Sequence, residues 1–143
     1  MESLFAYVYL WILGFTDEKQ YYDSLDELFL NRASDNLLLD LECCTDVKSA
    51  FGRIKRYFDY ETSEFDIDLF GKTLFCCLKK SYLMLNIELF AAKCYELYNI
   101  LPLAVERFEE PFHTLCYIDD MLEFNGLQET KKRIEEMLSF YEQ

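Results

Sequence analysis

The sequence predicts an all-α fold, a single compact domain of about six or seven helices that spans residues 1–143. Only four Gly and two Pro occur, which is too few for the frequent turns of a β-sandwich or β-barrel. Apolar side chains recur three and four residues apart along most of the chain, as they do on helices with one buried face. Hydrophobic residues make up 52% of the chain, enough for one core, and no linker or repeat indicates a second domain.

The first predicted helix covers about residues 3–13. This run is apolar all round, so its composition fits a buried helix or a strand. A helix is favoured because no neighbouring segment resembles a strand with which it could pair. Gly14 is expected to end this helix, and Thr16 to cap a second helix over about 17–31.

Ser34 is the expected cap of a short third helix over about 35–43, and Thr45 is the expected cap of a fourth. The apolar stripe of the fourth helix consists of Val47, Ala50, Phe51, Ile54, Tyr57 and Phe58. Its basic residues lie largely outside this stripe and form the main basic patch of the chain, namely Lys48, Arg53, Lys55 and Arg56.

The remaining predicted helices cover about residues 66–83, 87–99 and 127–141, and the weaker pattern near 112–118 allows one more short helix. The first of them is apolar over so much of its circumference that a central position is expected. Asn86 is expected to cap the next one. The periodicity weakens from 101 to 126, and Asn125-Gly126 indicates a turn before the last helix.

The charge of the chain limits its partners. With 27 acidic and 14 basic side chains the net charge is −13, so direct binding to nucleic acid and to anionic membranes is not expected. The N-terminal apolar run is too short to cross a bilayer and lacks the features of a signal peptide. An acidic surface suits a basic protein partner, although solubility alone would explain it equally well.

The six cysteines indicate a reducing compartment and not a disulfide framework. There is no secretory signal, and two vicinal pairs lie in apolar helical patterns, where Cys acts as a small hydrophobic residue. A cytoplasmic location with reduced thiols is therefore expected for Cys43, Cys44, Cys76, Cys77, Cys94 and Cys116.

No metal or cofactor is expected. The segment from Asp66 has carboxylates at positions 1 and 3 of a calcium loop and Gly at position 6, but Phe70 and Cys77 occupy positions 5 and 12, where oxygen ligands are needed. Asp66 and Asp68 fit better as the acidic start of a helix. Zinc is not expected either, because no Cys-x-x-Cys pair occurs.

Enzyme motifs are also missing, so a non-enzymatic role is expected. No Gly-rich phosphate loop, nucleophile elbow or dinucleotide fingerprint occurs. The one His, His113, stands three residues before Cys116, close enough to act with it on one helical turn. A structural hydrogen-bonding role for His113 is the favoured interpretation.

The candidate binding surface lies in two acidic segments, 59–68 and 105–123, which also contain aromatic residues. Loops on a rigid scaffold commonly bind partners, and aromatic side chains rimmed by charge can anchor an interface. The same aromatic residues could instead only pin the segments to the core. The predicted partner-binding residues are Asp59, Tyr60, Glu61, Glu64, Asp66, Asp68, Glu106, Glu109, Glu110, Asp119 and Asp120.

Three stretches carry a family resemblance: LFAYVYLWILGF at 4–15, FDIDLFGK at 65–72 and EEPFHTLCYIDD at 109–120. With them the chain resembles small acidic immunity proteins of bacterial polymorphic-toxin systems, including those of contact-dependent growth inhibition. The resemblance implies a cytoplasmic antidote that binds a cognate toxin domain, often a nuclease, and blocks its active site or its access to substrate.

Two alternatives accompany this prediction. The chain could be a helical adaptor or a regulatory protein-binding domain, which would bind proteins without protecting cells from a toxin. It could also be a small helical enzyme that uses Cys116 with His113.

Overall fold

The computed structural model describes residues 1–142, within which there are eight α-helices and no strand. The α-helices are α1 Glu2–Ile12, α2 Lys19–Asn31, α3 Asn36–Glu42, α4 Val47–Arg56, α5 Ile67–Met84, α6 Ile87–Asn99, α7 Ile118–Phe124 and α8 Leu127–Leu138. A π-helical turn follows α4 at Tyr57–Glu61, and two short 3-10 helices lie at Phe112–Cys116 and Phe140–Glu142. The predicted all-α fold is confirmed.

The contacts of the chain divide it into two compact units. The first unit is Met1–Leu74, and the second begins at Phe75, part of the way along α5. The prediction of one domain over 1–143 stays a prediction. Each unit has buried apolar side chains of its own.

The first unit is built around α1, which packs against α2 and α4. The apolar run of α1 is buried at Leu4, Phe5, Ala6, Val8, Tyr9 and Leu10. The ring of Phe5 stacks on Phe58 with centroids 4.7 Å apart, and it lies 5.7 Å from Phe70. The N-terminal apolar run is therefore a buried helix and not a strand. Its aromatic rings supply much of the apolar area that it buries.

The second unit packs α6 against α7 and the first 3-10 helix, while α7 and the same 3-10 helix also contact α8. Its buried side chains include Phe90, Cys94, Leu97, Leu115, Ile118, Ile134 and Met137. Arg107 fixes the end of α6, because its guanidinium donates to the carbonyl oxygens of Tyr98 at 2.8 Å and Leu101 at 2.7 Å.

The residues that cap the helices agree only in part with those that the sequence predicts. Asn86 caps α6 as expected, since its side-chain oxygen accepts from the Leu89 amide at 2.8 Å. The expected caps Ser34 and Thr45 are each wrong by one residue. Asp35 accepts from the amides of Leu37 and Leu38, and Asp46 accepts from that of Ser49.

Helix α2 also begins later than the sequence predicts. This helix begins at Lys19, so Thr16 does not cap it. Asp17 instead accepts from the Lys19 amide at 2.9 Å. Gly14 follows α1 as expected, with a φ of 78°, a conformation that favours Gly.

Two stretches predicted as irregular are partly helical. The segment 59–68 opens inside the π-helical turn Tyr57–Glu61, which extends the direction of α4. The stretch 105–123 contains the 3-10 helix and most of α7, where the sequence indicated only one possible short helix at 112–118. Within residues 1–142 no helix is both long and apolar enough to cross a membrane.

Candidate functional site

The first predicted acidic segment is partly folded back onto α4. The Asp59 side chain is only 4% exposed, and its carboxylate lies 2.5 Å from the Lys55 ammonium. Glu61 accepts from the Arg53 guanidinium at 2.6 Å, and the same guanidinium donates to Asp40 of α3 at 2.9 Å. Asp59 and Glu61 therefore pair with Lys55 and Arg53, two of the four cations of the predicted basic patch.

The other predicted residues of this segment face solvent. Tyr60, Glu64, Asp66 and Asp68 are all exposed. Asp66 has a structural role as well, because its side chain accepts from the Leu69 amide at 3.1 Å at the start of α5. This leaves Tyr60, Glu64 and Asp68 as the candidates for partner binding in the first unit.

The second predicted segment ends in an exposed acidic and aromatic face, which we call the α7 surface and define as Asp119, Asp120, Glu123 and Phe124. All four side chains are exposed, Phe124 by 78%. Among residues 1–142, no basic nitrogen forms an ion pair with the three carboxylates. Asp119 and Glu123 are four residues apart, as are Asp120 and Phe124, so each pair lies on one side of the helix.

Two further predicted residues, Glu106 and Glu109, are exposed in the segment before the first 3-10 helix. Phe108 lies between them in sequence and is also exposed. Its ring is 6.5 Å from that of His113, which in turn is 5.2 Å from that of Tyr117, the residue before α7. Ring contacts thus connect this acidic segment with the start of α7.

Glu110 is not available to a partner in the way the sequence suggested. Its Oε1 accepts from Arg133 at 3.0 Å and from the Tyr117 hydroxyl at 3.3 Å. Its Oε2 accepts from both the amide and the hydroxyl of Thr114. Arg133 also donates to the Tyr117 hydroxyl through Nε at 2.8 Å. The sequence does not single out Arg133, because this residue lies on α8, 23 residues from Glu110, and no local pattern links the two.

Two surface clefts flank the Arg133 guanidinium. The first, which we call the Arg133 cleft, has a volume of about 320 Å³, polar walls of Glu110, Thr114, Arg133 and Glu136, and apolar walls of Pro111, Met137 and Phe140. The neighbouring cleft has a volume of about 340 Å³ and is lined by Tyr117, Met121, Glu129, Lys132, Arg133 and Glu136. The Arg133 cleft is the more apolar of the two by residue type.

The candidate catalytic pair combines His113 with a partly buried thiol, Cys116. Burial is the main cause that raises the pKa of Cys116, although a hydrogen bond with Tyr98 acts in the opposite direction. A nucleophilic cysteine needs a lowered pKa, since the thiolate is the reactive form. His113 lies near a carboxylate, with its Nδ1 3.9 Å from Glu110. The geometry gives His113 contacts with Glu110, Phe108 and Tyr117 that fit a structural role.

The cysteines and acidic residues do not assemble into a metal centre in the described part of the chain. No group of three His, Cys, Asp or Glu side chains among residues 1–142 is placed to hold an ion. All six cysteines are free thiols, and Cys77 and Cys94 are buried.

Comparison with known proteins gives no match, whether against protein-family models, curated proteins or solved structures. The resemblance to immunity proteins and the partner that it implies therefore stay predictions. The surfaces of the two units and their charges are the basis for any functional inference.

Proposed function

We propose that the chain is an immunity protein, a helical inhibitor that binds a basic toxin domain and keeps it from its substrate. The α7 surface is the observation that supports this most. It places three carboxylates without ion pairs beside an exposed Phe on one short helix. A basic partner that covered this face would bring charge complementarity and a buried aromatic anchor together.

The carboxylates of the α7 surface destabilise the protein when no partner is bound. Like charges four residues apart on a helix, such as Asp119 and Glu123, repel each other. The positive end of the helix dipole offsets part of this for Asp119 and Asp120, which lie in the first turn of α7. Basic side chains of a partner would offset the remaining repulsion, so binding would stabilise the α7 surface.

The chemistry of a nuclease explains how such a face could inhibit one. An enzyme that binds nucleic acid needs a basic surface where it meets the phosphates. A protein with clustered carboxylates competes for that same surface, and it blocks either the active site or the path of the substrate. Long-range attraction would also make the encounter fast and dependent on salt.

The test starts from the partner itself. The tagged chain is purified from its native cells, the copurified protein is identified, and its toxicity on expression is measured with and without the chain. A partner that is toxic alone and harmless with the chain would establish immunity. A chain that binds its partner but gives no protection would fit an adaptor and contradict the proposal.

A charge-reversal variant then tests the α7 surface. We expect Asp119→Lys with Asp120→Lys to weaken the complex by at least about tenfold, because close interfacial charge pairs contribute a few kcal/mol. The matched control is Asp26→Lys with Glu27→Lys, two adjacent exposed acidic residues on α2. Calorimetry gives both affinities, and stopped-flow mixing shows whether the association rate falls with salt. Equal losses in both variants would assign the effect to net charge and not to α7.

Substitution of Cys116 distinguishes an inhibitor from an enzyme. Cys116→Ser should leave toxin neutralisation unchanged, because an inhibitor needs no nucleophile there. Loss of protection in a variant that is folded by circular dichroism would instead favour the enzymatic alternative.

A further inference from the structure

The Arg133 cleft has room for a single long side chain. Its volume of about 320 Å³ is at the lower end of the range of ligand pockets, about 300–1,000 Å³. Pro111 and Met137 form buried apolar walls, and the half-exposed ring of Phe140 lies at the rim. Such walls suit the aliphatic stem of a long side chain.

The polar network of the cleft favours a cation over an anion as its occupant. Arg133 already donates to Glu110, to the Tyr117 hydroxyl and to Glu136. A carboxylate has about four acceptor sites, and Glu110 receives four hydrogen bonds, two from Thr114 and one each from Tyr117 and Arg133. The guanidinium is therefore neutralised, and Glu110 is a fixed wall with little capacity for another donor.

Glu136 is the carboxylate of the cleft that can still pair with an added cation. Its side chain is 54% exposed, and its ion pair with Arg133 is long, at 3.4 Å. Glu110 and Glu136 against Arg133 give the cleft a formal charge of −1. The neighbouring cleft adds Glu129 and Lys132 to Glu136 and Arg133, so its formal charge is zero. Of these two clefts, the Arg133 cleft is the one that combines apolar walls with a negative balance.

We propose that the Arg133 cleft receives one arginine or lysine side chain of the basic protein partner. The cationic head would pair with Glu136, while the aliphatic stem packs on Met137 and the face of Phe140 adds a cation–π contact. This inference rests on the proposed function, and it names a contact that the partner makes outside the α7 surface.

The experiment uses the full chain and two short peptides. The probe is acetyl-Gly-Arg-Gly-amide, and the control peptide carries citrulline, which has nearly the shape of arginine but no charge. We expect saturable NMR shifts of the Met137 methyl group and the Thr114 amide with the arginine peptide only. The shifts should weaken at high salt, because the partly exposed pair is screened.

Two variants assign the shifts to the cleft. Glu136→Gln should weaken peptide binding by about two- to fivefold, the effect of a surface ion pair. The matched control, Glu96→Gln, changes an exposed carboxylate on α6 outside the cleft and should leave binding unchanged. Phe140→Leu should also weaken binding, since it removes the aromatic face. Absence of saturable shifts, equal binding of the citrulline peptide, or equal effects of the two Gln variants would overturn the inference.

The outcome for the cleft can be separated from the outcome for the proposed function. Peptide binding is measured on the chain alone, whereas immunity is measured by protection from the partner. Protection without any peptide shift would overturn the cleft and leave the proposed function standing. Peptide shifts that respond to Glu136→Gln, in a chain that protects against no toxin, would support the cationic site and contradict the immunity role.

Discussion

Arg53 shows how one side chain connects three elements of the first unit. Its guanidinium donates to Asp40 of α3 and to Glu61 of the π-helical turn, while its own backbone belongs to α4. The side chain is only 15% exposed, so both bonds are partly shielded from water. Removing it would take a partner from the Asp40 and Glu61 carboxylates, which are 55% and 41% exposed, and would also remove the packing of the shielded Arg53 side chain.

We therefore expect Arg53→Ala to lower the free energy of unfolding by about 1–3 kcal/mol. Arg56→Ala is the control, because Arg56 is 62% exposed and reaches Glu61 only at 4.0 Å. Its effect should stay below about 1 kcal/mol. Urea denaturation at neutral pH measures both. A loss for Arg56→Ala as large as that for Arg53→Ala would contradict the bridging role of Arg53.

The acidic segment 59–68 illustrates what the sequence could predict at this scale. Lys55 and Asp59 are four residues apart, the spacing of an ion pair on a helix, so that pair could have been found by extending the fourth helix. Arg53 and Glu61 are eight residues apart, and only the π-helical turn brings them together. A charge-reversal test of this segment should thus be confined to Glu64 and Asp68.

Helix α3 depends on its ends, because it has only seven residues. A helix this short is not stable by propensity alone. Asp35 accepts from the amides of Leu37 at 2.9 Å and Leu38 at 3.3 Å, while Leu37, Leu38 and Leu41 are buried. The cap and the packing together explain why this segment is helical.

We expect Asp35→Ala to lower the free energy of unfolding by about 0.5–2 kcal/mol, the usual effect of losing a helix cap. The neighbouring Ser34 is exposed and is the cap that the sequence predicted, so Ser34→Ala is the matched control. It should change stability by no more than about 0.5 kcal/mol. Urea denaturation compares the two variants, and the reverse ranking would show that the helix begins one residue earlier.

The unpredicted helix α7 has a different cause. Its seven residues follow a 3-10 helix, so the apolar spacing changes within a few residues and no single period fits the stretch. Ile118 is buried, and α7 contacts both α6 and α8. Tertiary contacts from distant parts of the chain, which local periodicity does not reveal, favour the helix here.

At the scale of the whole molecule, buried thiols make stability depend on pH. Burial raises the pKa of Cys77 from its ordinary value of 9.0 to about 11, and it also raises the pKa of Cys94. The unfolded chain loses these protons near pH 9.0, whereas the folded chain keeps the Cys77 proton until about pH 11. The folded state therefore binds more protons in this window, and its stability falls as the pH rises.

We expect the free energy of unfolding to decline between pH 9.0 and about pH 11, and Cys77→Ala to make that decline less steep. Cys43→Ala removes an exposed thiol and is the control for the loss of a thiol as such. Urea denaturation under reducing conditions at several pH values measures the slopes. Identical slopes for both variants and the natural chain would show that Cys77 does not titrate differently on folding.

The all-α class and the approximate extent of most helices follow from the sequence alone, because periodicity and capping residues act within a few residues of the chain. The acidic balance and the short list of candidate surfaces follow from it as well. Asn86 is a clear case, since its role depends only on the residues beside it.

Which carboxylates can meet a partner depends on contacts between residues that are far apart in the sequence. Asp59, Glu61 and Glu110 have cationic partners in the folded chain, while Asp119 and Asp120 have no ion pair with any described residue. The Glu110 pair joins residues 23 positions apart, a separation that packing spans and a local pattern does not. Charge is a property of composition, but its availability depends on which side chains the fold places within a few ångströms of each other.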